Sequence, residues 1–111
     1  MAAKFELKKA GSGQFMFNLK AANGEVILTS ELYKEKHGAL NGIESVKVNA
    51  GEDTRFERRI AKNGQPYFVL KAGNGEIIGK SEMYSAVAAM EHGIESVKKN
   101  AVAARVDDGT A

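Results

Sequence analysis

An internal repeat constrains this sequence more than any other feature. Shifting the sequence by 51 residues aligns residues 5–50 with residues 56–101 without a gap, and about 24 of these 46 positions are identical. Chance does not give this level of identity, so the chain contains two copies of one structural unit. We place repeat 1 at 5–55 and repeat 2 at 56–107, and we expect 108–111 to be a flexible tail.

Each copy changes from a period of two residues to a period near 3.6, which predicts strands followed by a helix. In repeat 1 the alternation at 5–8 and 15–20 predicts two half-buried antiparallel strands, and 26–29 predicts a third. In repeat 2, Pro66 opens the second strand, where a missing N–H does least harm. The Asn-Gly pairs at 23–24 and 74–75 predict type I′ hairpin turns between the second and third strands.

A helix is expected after each third strand, with Ser30 and Ser81 as its N-caps. The apolar stripe that faces the sheet is predicted at two equivalent sets of positions: Tyr33, Leu40, Ile43, Val46 and Ala50 in repeat 1, and Tyr84, Val87, Ile94, Val97 and Ala101 in repeat 2. Gly42 and Gly93 are poor helix formers, and they either kink the helices or let two backbones approach closely. Short extended segments follow at Thr54–Phe56 and Ala104–Asp107.

The repeated segments resemble the YegP-like family of small bacterial proteins, whose biochemical role is uncharacterised. The resemblance covers nearly the whole chain and rests on FE at 5–6 and 56–57, NGE at 23–25 and 74–76, SE-x-Y at 30–33 and 81–84, and GIESVK-x-NA at 42–50 and 93–101. It implies an α+β fold of two tandem β-β-β-α-β units. The units would form one antiparallel sheet with both helices on one face, a pseudo-two-fold axis and exchanged C-terminal strands. It supplies no established catalytic or binding residues.

Composition narrows the function classes. The absence of cysteine excludes disulfides, thiolate metal sites and cysteine nucleophiles. The balance of 16 basic and 14 acidic residues does not require a polyanionic partner. Because the sequence has no long apolar run and no signal-peptide pattern, we expect a cytoplasmic protein without a membrane partner. A unit of this size is near the lower limit for folding alone, so the repeats should share one core, most simply as a monomer.

No residue pattern points to catalysis, a cofactor or a metal. His37 and His92 occupy non-equivalent positions in the two repeats, and neither has a second histidine one helical turn away. Ser30 and Ser81 lie between strand and helix, but the glycine-flanked elbow of a nucleophilic serine is missing. We therefore expect a non-enzymatic protein.

The sheet face opposite the helices is the best candidate for function, because a sheet covered on one side leaves its other face open. Period two places a mixture of basic, aromatic, amide and apolar groups there: Lys8, Met16, Asn18, Lys20, Arg59, Tyr67, Val69 and Lys71. Such a face suits a protein partner, which makes the chain a small interaction module. The alternative is weak nucleic-acid binding, although a single tyrosine falls short of an RNA-reading sheet. An antiparallel face that is simply solvated would also look like this.

Overall fold

The computed structural model describes residues 2–110. This part of the chain contains seven strands, two helices and a short 3-10 turn. In order they are β1 (Lys4–Lys9), β2 (Phe15–Lys20), β3 (Val26–Thr29), α1 (Lys36–Asn49), the 3-10 turn Asp53–Arg55, β4 (Phe56–Ile60), β5 (Pro66–Lys71), β6 (Ile77–Lys80), α2 (Val87–Ala101) and β7 (Arg105–Asp108). The α+β class and the tandem repeat are confirmed. No helix within 2–110 is both long enough and apolar enough to span a membrane.

The described strands form one sheet in the order β4-β5-β6-β3-β2-β1-β7. The two repeats meet where β3 and β6 pair antiparallel at Thr29 and Lys80, which are equivalent positions under the shift of 51 residues. Equivalent residues that face each other across a junction lie beside a pseudo-two-fold axis. Both helices pack on the same side of the sheet over one shared apolar core.

Strand exchange occurs once. β7 follows repeat 2 but pairs with β1 of repeat 1. The pairing is parallel, unlike the other pairs, because β7 enters from a helix and not from a hairpin. The expected segment Thr54–Phe56 is not a matching strand: Asp53–Arg55 is a 3-10 turn and Phe56 already begins β4. The asymmetry arises because repeat 1 runs directly into repeat 2. The residues equivalent to Asp107 and Asp108 are the first two residues of β4, so they cannot form a separate exchanged strand.

The expected tail at 108–111 differs from the structure as far as it is described. Asp108 is the last residue of β7, and the Gly109 N–H donates to the Leu7 carbonyl at 2.8 Å. The Asp108 carboxylate also lies 2.5 Å from Lys36 Nζ on α1. Hydrogen bonds from Lys36 and then Thr110 lower the pKa of Asp108 to about 2. Asp108 and Gly109 are therefore held by α1 and β1, Thr110 bonds to Asp108, and Ala111 lies outside the described residues.

The hairpin turns are not type I′, because that turn needs two successive residues with positive φ. Only glycines have positive φ among the described residues, at 85° for Gly24 and 88° for Gly75. The Ala21 N–H donates to the Glu25 carbonyl, and the Asn23 side chain accepts from the Glu25 N–H at 3.0 Å. This is the longer hairpin loop in which a left-handed glycine follows a tight turn.

Ser30 and Ser81 are not helix N-caps, because α1 and α2 begin six residues later, after Glu35 and Ala86. The Ser30 hydroxyl accepts the Phe17 N–H at 2.9 Å and donates to the Glu31 carbonyl at 2.7 Å. Ser81 repeats both contacts with Phe68 and Glu82. Each serine thus supplies the acceptor that a continuing strand would have provided, which satisfies a buried backbone N–H.

The helix stripe differs from the prediction in its first turn. Leu40 and Val87 are exposed, whereas Ala39 and Met90, which occupy the same position in the two repeats, are buried. The later buried positions agree with the prediction: Ile43, Val46 and Ala50 in repeat 1, and Ile94, Val97 and Ala101 in repeat 2. Leu40 lies about 100° around the helix axis from Ala39, so the face that turns Ala39 and Ile43 toward the sheet turns Leu40 toward solvent. Val87 is the first residue of α2.

Gly42 and Gly93 provide a close approach between helix and tyrosine. Tyr84 stacks on Phe68 with ring centroids 6.3 Å apart, and its ring lies against the α2 backbone at Gly93. A Cβ on Gly93 would lie 2.8 Å from Tyr84 Cζ, a distance at which the ring would have to move. These glycines therefore permit a close approach, but it is made by a tyrosine ring and not by a second backbone as the sequence analysis proposed.

Leu28 and Gly79 are equivalent positions filled unequally, because they lie next to the pseudo-two-fold axis. The fully buried Leu28 side chain occupies the space beside Gly79, where a Cβ would lie 2.7 Å from Leu28 Cγ. Two large side chains would not fit at this point, so one repeat has leucine and the other has glycine at the equivalent position.

We expect Gly79→Ala to destabilise the protein by about 1–3 kcal/mol through overpacking, although alanine normally improves an open strand position. Leu28→Ala should cost about 2–5 kcal/mol, and the double variant should lose less than the sum because each change relieves the other. Denaturant titration of the three variants measures this. A stabilising Gly79→Ala, or strict additivity, would contradict the shared-space explanation.

Candidate functional site

The open face is the side of the sheet that neither helix covers, and it is defined here by the strand side chains that point away from the helices. All eight sequence-predicted residues lie on it. Cross-strand pairing places Lys8 beside Met16 in repeat 1 and Arg59 beside Tyr67 in repeat 2. Strands in antiparallel register put directly paired residues on the same face, so the structure brings the predicted set together along two neighbouring pairs of strands.

A glutamate between two cations appears once in each repeat on this face. Glu6 accepts from Lys20 at 3.2 Å and lies 3.2 Å from Lys8 Nζ. Hydrogen bonds from Lys20 and then Lys8 lower the pKa of Glu6. The carboxylates therefore stay ionised and hold the cationic side chains in place over the sheet.

The equivalent cluster in repeat 2 is built around Glu57. This carboxylate accepts from Lys71 at 2.8 Å and also pairs with Arg59. Its pKa is lowered by hydrogen bonds from Lys71 first and Arg59 second. Each ammonium has three N–H donors, so a lysine held by one glutamate oxygen keeps donors for a second anion.

Tyr67 is the aromatic group of the open face. Lys80 Nζ lies 5.3 Å from the centroid of its ring, within the range of a cation–π contact. Its cross-strand partner is Arg59. Cations therefore flank the ring on two sides, which reduces the free ring surface available for stacking on a base.

Two predicted residues lie on the open face without being accessible. Val69 is 1% exposed and Asn18 is 5% exposed. Val69 lies between the long side chains of its strand neighbours Tyr67 and Lys71 and pairs across the strands with Glu57 and Lys80. Asn18 donates its amide to the Thr29 hydroxyl at 2.9 Å. These two residues support the face and are not free to contact a partner.

Sequence reasoning missed three cations of the open face, namely Lys4, Lys80 and Arg105. Lys80 was missed because a register irregularity between Leu70 and Lys71 breaks the period of two in β6. Arg105 was missed because nothing in the sequence shows that β7 pairs parallel with β1. Lys4 is a strand position whose partner Asp107, at 3.2 Å, is supplied by the exchanged strand.

The complete strand set of the open face is strongly basic. It has seven basic and three acidic side chains: Lys4, Lys8, Lys20, Arg59, Lys71, Lys80 and Arg105 against Glu6, Glu57 and Asp107. The whole chain carries only +2. The face therefore carries +4 and the remaining residues of the chain together carry −2, so basic side chains are concentrated on this face.

A shallow cavity lies at the β7 end of this face. Its volume is about 290 Å³, and it is lined by Lys4, Lys20 and Arg105 together with Ala2, Ala21 and Gly24. Among the described residues Lys4 is paired with Asp107 and Lys20 with Glu6, whereas no carboxylate lies within ion-pair distance of Arg105. Three converging cations beside small apolar groups suit a carboxylate or another small anion.

The other candidates from the sequence do not form a site. Residues 2–110 contain no group of three or more acidic or histidine side chains that could hold a metal ion. His37 and His92 are both exposed. The hydroxyls of Ser30 and Ser81 are buried and engaged with backbone groups, as described above.

Comparison with known proteins finds matches over nearly the whole chain. A family model described as a domain of unknown function, DUF1508, matches twice, at residues 10–57 and 61–108. A UPF0339 protein of Pseudomonas aeruginosa is 56% identical over 108 residues, covering 97% of this chain and 98% of its own length. The UPF0339 protein YegP of Escherichia coli K12 is 51% identical over 110 residues, covering 99% of this chain and all of its own length.

Two solution NMR structures show the same fold. That of a UPF0339 protein from Shewanella oneidensis has a TM-score of 0.91 and 53% identity, covering 97% of this chain and 92% of its own. That of YegP from Escherichia coli, described as a protein of unknown function, has a TM-score of 0.93 and 50% identity, covering 98% of this chain and 94% of its own. These similarities establish the fold and carry no description of a function.

Proposed function

This chain belongs to the YegP/UPF0339 family of proteins of unknown function, and from its own surfaces we propose that it is a small, non-enzymatic interaction module whose open face binds an anionic surface of a protein partner. A cytoplasmic location is part of this proposal. The single observation that carries it is the concentration of basic side chains, which places +4 on the sheet face that no helix covers in a chain with a net charge of +2.

The arrangement of the cations supports binding of carboxylates. Lys20 and Lys71 are equivalent in the two repeats, so the pseudo-two-fold axis places one on each half of the face. Each lysine is oriented by a hydrogen bond to a glutamate. This bond uses only one of the three N–H donors of the lysine ammonium group. Complementary potentials of this kind favour fast encounter and correct orientation of a partner.

Tyr67 is the group best suited to anchor a protein partner. It is half-buried, and it combines a rigid apolar ring with a polar hydroxyl, the combination enriched at protein-binding hot spots. Nucleic-acid binding on a sheet requires aromatic rings on which bases can stack. The described strands of the open face offer only the Tyr67 ring for this, and Lys80 already lies over it. A protein partner therefore fits the face better than an oligonucleotide does.

Replacing Tyr67, Lys20 and Lys71 together by alanine should weaken partner binding. The free energy of unfolding should change by no more than about 0.5 kcal/mol at Lys20 and somewhat more at Tyr67 and Lys71, whose side chains flank the buried Val69. Binding is measured by capture from lysate of the source organism, with and without nuclease, and stability by thermal melting. The matched control is Lys34→Ala with Lys99→Ala, which removes two exposed lysines outside the open face.

Nuclease treatment separates the two kinds of partner, because binding to an anionic protein surface also weakens as salt is added. Binding to nucleic acid should be lost on nuclease treatment and should fall steeply between about 50 and 200 mM salt, because phosphate contacts release counterions. If the triple variant melts like the parent and recovers the same proteins and nucleic acids, the open face is not the binding surface. If only nuclease-sensitive material is captured, nucleic-acid binding replaces the protein-partner proposal.

A further inference from the structure

β4 is an outer strand of the sheet, and no other strand within residues 2–110 pairs with its free side. The direction of its backbone groups follows from β5. The Phe68 N–H and carbonyl both bond to Ser81 on the β6 side, and Phe68 is the cross-strand partner of Arg58. The N–H and carbonyl of Arg58 therefore point away from β5, as do those of Ile60 two residues later.

The equivalent edge in repeat 1 is β1, and there the chain shows how such an edge binds a strand. β7 pairs parallel with β1 and aligns Asp108 with Leu7, the residue equivalent to Arg58. The Leu7 carbonyl accepts the Gly109 N–H at 2.8 Å. On the helix side, Asp108 pairs with Lys36 of α1. A short extended segment with an acidic residue facing α1 thus satisfies the β1 edge.

The side chains beside β4 suit a different segment. The position equivalent to Lys36 is Val87 on α2, which is 58% exposed, and Ile60 at the end of β4 is 66% exposed. These residues line a cavity of about 290 Å³ against the sheet edge together with Pro66 and Met90, and Arg58, Arg59 and Glu91 complete its lining. A strand bound here would bring its helix-facing side chain beside the apolar side chains of Val87 and Ile60, where Asp108 meets a cation in repeat 1.

Charged side chains often protect an exposed strand edge from pairing, but the two arginines of β4 are held on the faces of the sheet. Arg58 forms hydrogen bonds with Glu91 on α2, at 2.6 and 3.0 Å. Arg59 pairs with Glu57 on the open face. The outward backbone groups at Arg58 and Ile60 therefore remain available for pairing.

We propose that the β4 edge is a docking site for an extended segment of a partner protein, which adds as an eighth strand parallel to β4 and places an apolar side chain against Val87 and Ile60. Main-chain hydrogen bonds provide affinity in this mode of recognition, and alternate side chains provide specificity. A second copy of the chain is a poorer occupant, because a contact along one five-residue strand is too small for a stable dimer, which buries roughly 1,200 Å² or more.

The probe is a blocked synthetic peptide with the sequence of residues 103–110 and the substitution Asp108→Val, and the control peptide keeps Asp108. Each is titrated into the full-length labelled protein, and binding is followed through the amide signals. We expect the Val peptide to shift the Arg58 and Ile60 amides and to slow their exchange with solvent. It should bind about tenfold more tightly than the Asp peptide, because the valine buries apolar surface against Val87 and Ile60, whereas the carboxylate loses hydration beside an Arg58 that already bonds to Glu91 and Asp53.

The variant Val87→Lys places at this edge the residue found at the equivalent position in repeat 1. It should reverse the preference, so that the Asp peptide binds more tightly than the Val peptide. An exposed position is changed, so the amide spectrum away from α2 should stay that of the parent and show that the fold is intact.

Three results would overturn the proposal. The first is that neither peptide changes the Arg58 and Ile60 amides at millimolar concentration. The second is that the changes lie at Phe5 and Leu7, which would mean that the peptide displaces β7 from β1. The third is that the β4 amides change on dilution of the protein alone, which would mean that a second copy occupies the edge. None of these outcomes tests the open-face proposal, because its variants change residues of β2 and β5 and not the backbone edge of β4 or the residues of α2.

Discussion

Residues 1–55, produced without repeat 2, are expected to have no stable monomeric fold. Separation removes β7 from β1, β6 from β3, and the contacts of α1 with β5 and β6. It also exposes Leu28, which is fully buried against repeat 2. About half of a small core cannot offset the conformational entropy of roughly 1–2 kcal/mol for each ordered residue.

Sedimentation and the dispersion of amide NMR signals measure this result. The fragment should be unfolded, or it should dimerise so that a second copy replaces repeat 2. The matched control is an equimolar mixture with residues 56–111, in which the native spectrum should return because the sheet and the shared core can form again. A half that is stably folded as a monomer would show that the repeats are independent domains.

Phe17→Ala and Phe68→Ala should each lower the free energy of unfolding by about 3–5 kcal/mol, because truncating a fully buried aromatic residue leaves a cavity. Phe17 packs edge-on against Phe5 at 5.8 Å and stacks on Tyr33 at 6.3 Å. Phe68 repeats both contacts in repeat 2 with Phe56 and Tyr84. The Phe17 and Phe68 rings therefore occupy equivalent central positions in one core.

Denaturant titration of both variants gives the cost and the cooperativity. The control is Val48→Ala, where 75% of the side chain is already exposed and the change should stay within about 0.5 kcal/mol. Each variant should still unfold in one transition seen by signals from both repeats. A cost below about 1 kcal/mol, or separate transitions for the two repeats, would mean that the rings do not support a shared core.

The repeat and the periodicity predict most of the fold from sequence. The alternation at 5–8 and 15–20, and its copy in repeat 2, predicts the strands, and the late apolar stripe predicts which face of each helix is buried. These features follow from local sequence. The start of each helix could not be predicted in the same way, because the segment after Ser30 stays extended through a backbone bridge between Phe15 and Tyr33.

The parts that sequence did not predict depend on distant contacts. A serine before a helix usually indicates an N-cap, yet Ser30 and Ser81 complete a strand edge instead. Only one strand is exchanged, because the chain that leaves repeat 1 continues directly into β4. For the open face, alternation correctly placed all eight predicted residues, but it could not show that Val69 and Asn18 are covered or that β7 contributes Arg105.

Mapping of amide chemical shifts during addition of poly-L-glutamate, at about 50 mM salt, tests the role of the open face most directly. Poly-L-glutamate is a simple substitute for an anionic protein surface. Binding on the open face predicts that shifts concentrate on the strand residues around Lys20, Lys71, Lys80 and Arg105, and that α1 and α2 stay unchanged. Equal shifts around Lys34 and Lys99, or no shifts at all, would contradict binding through this face.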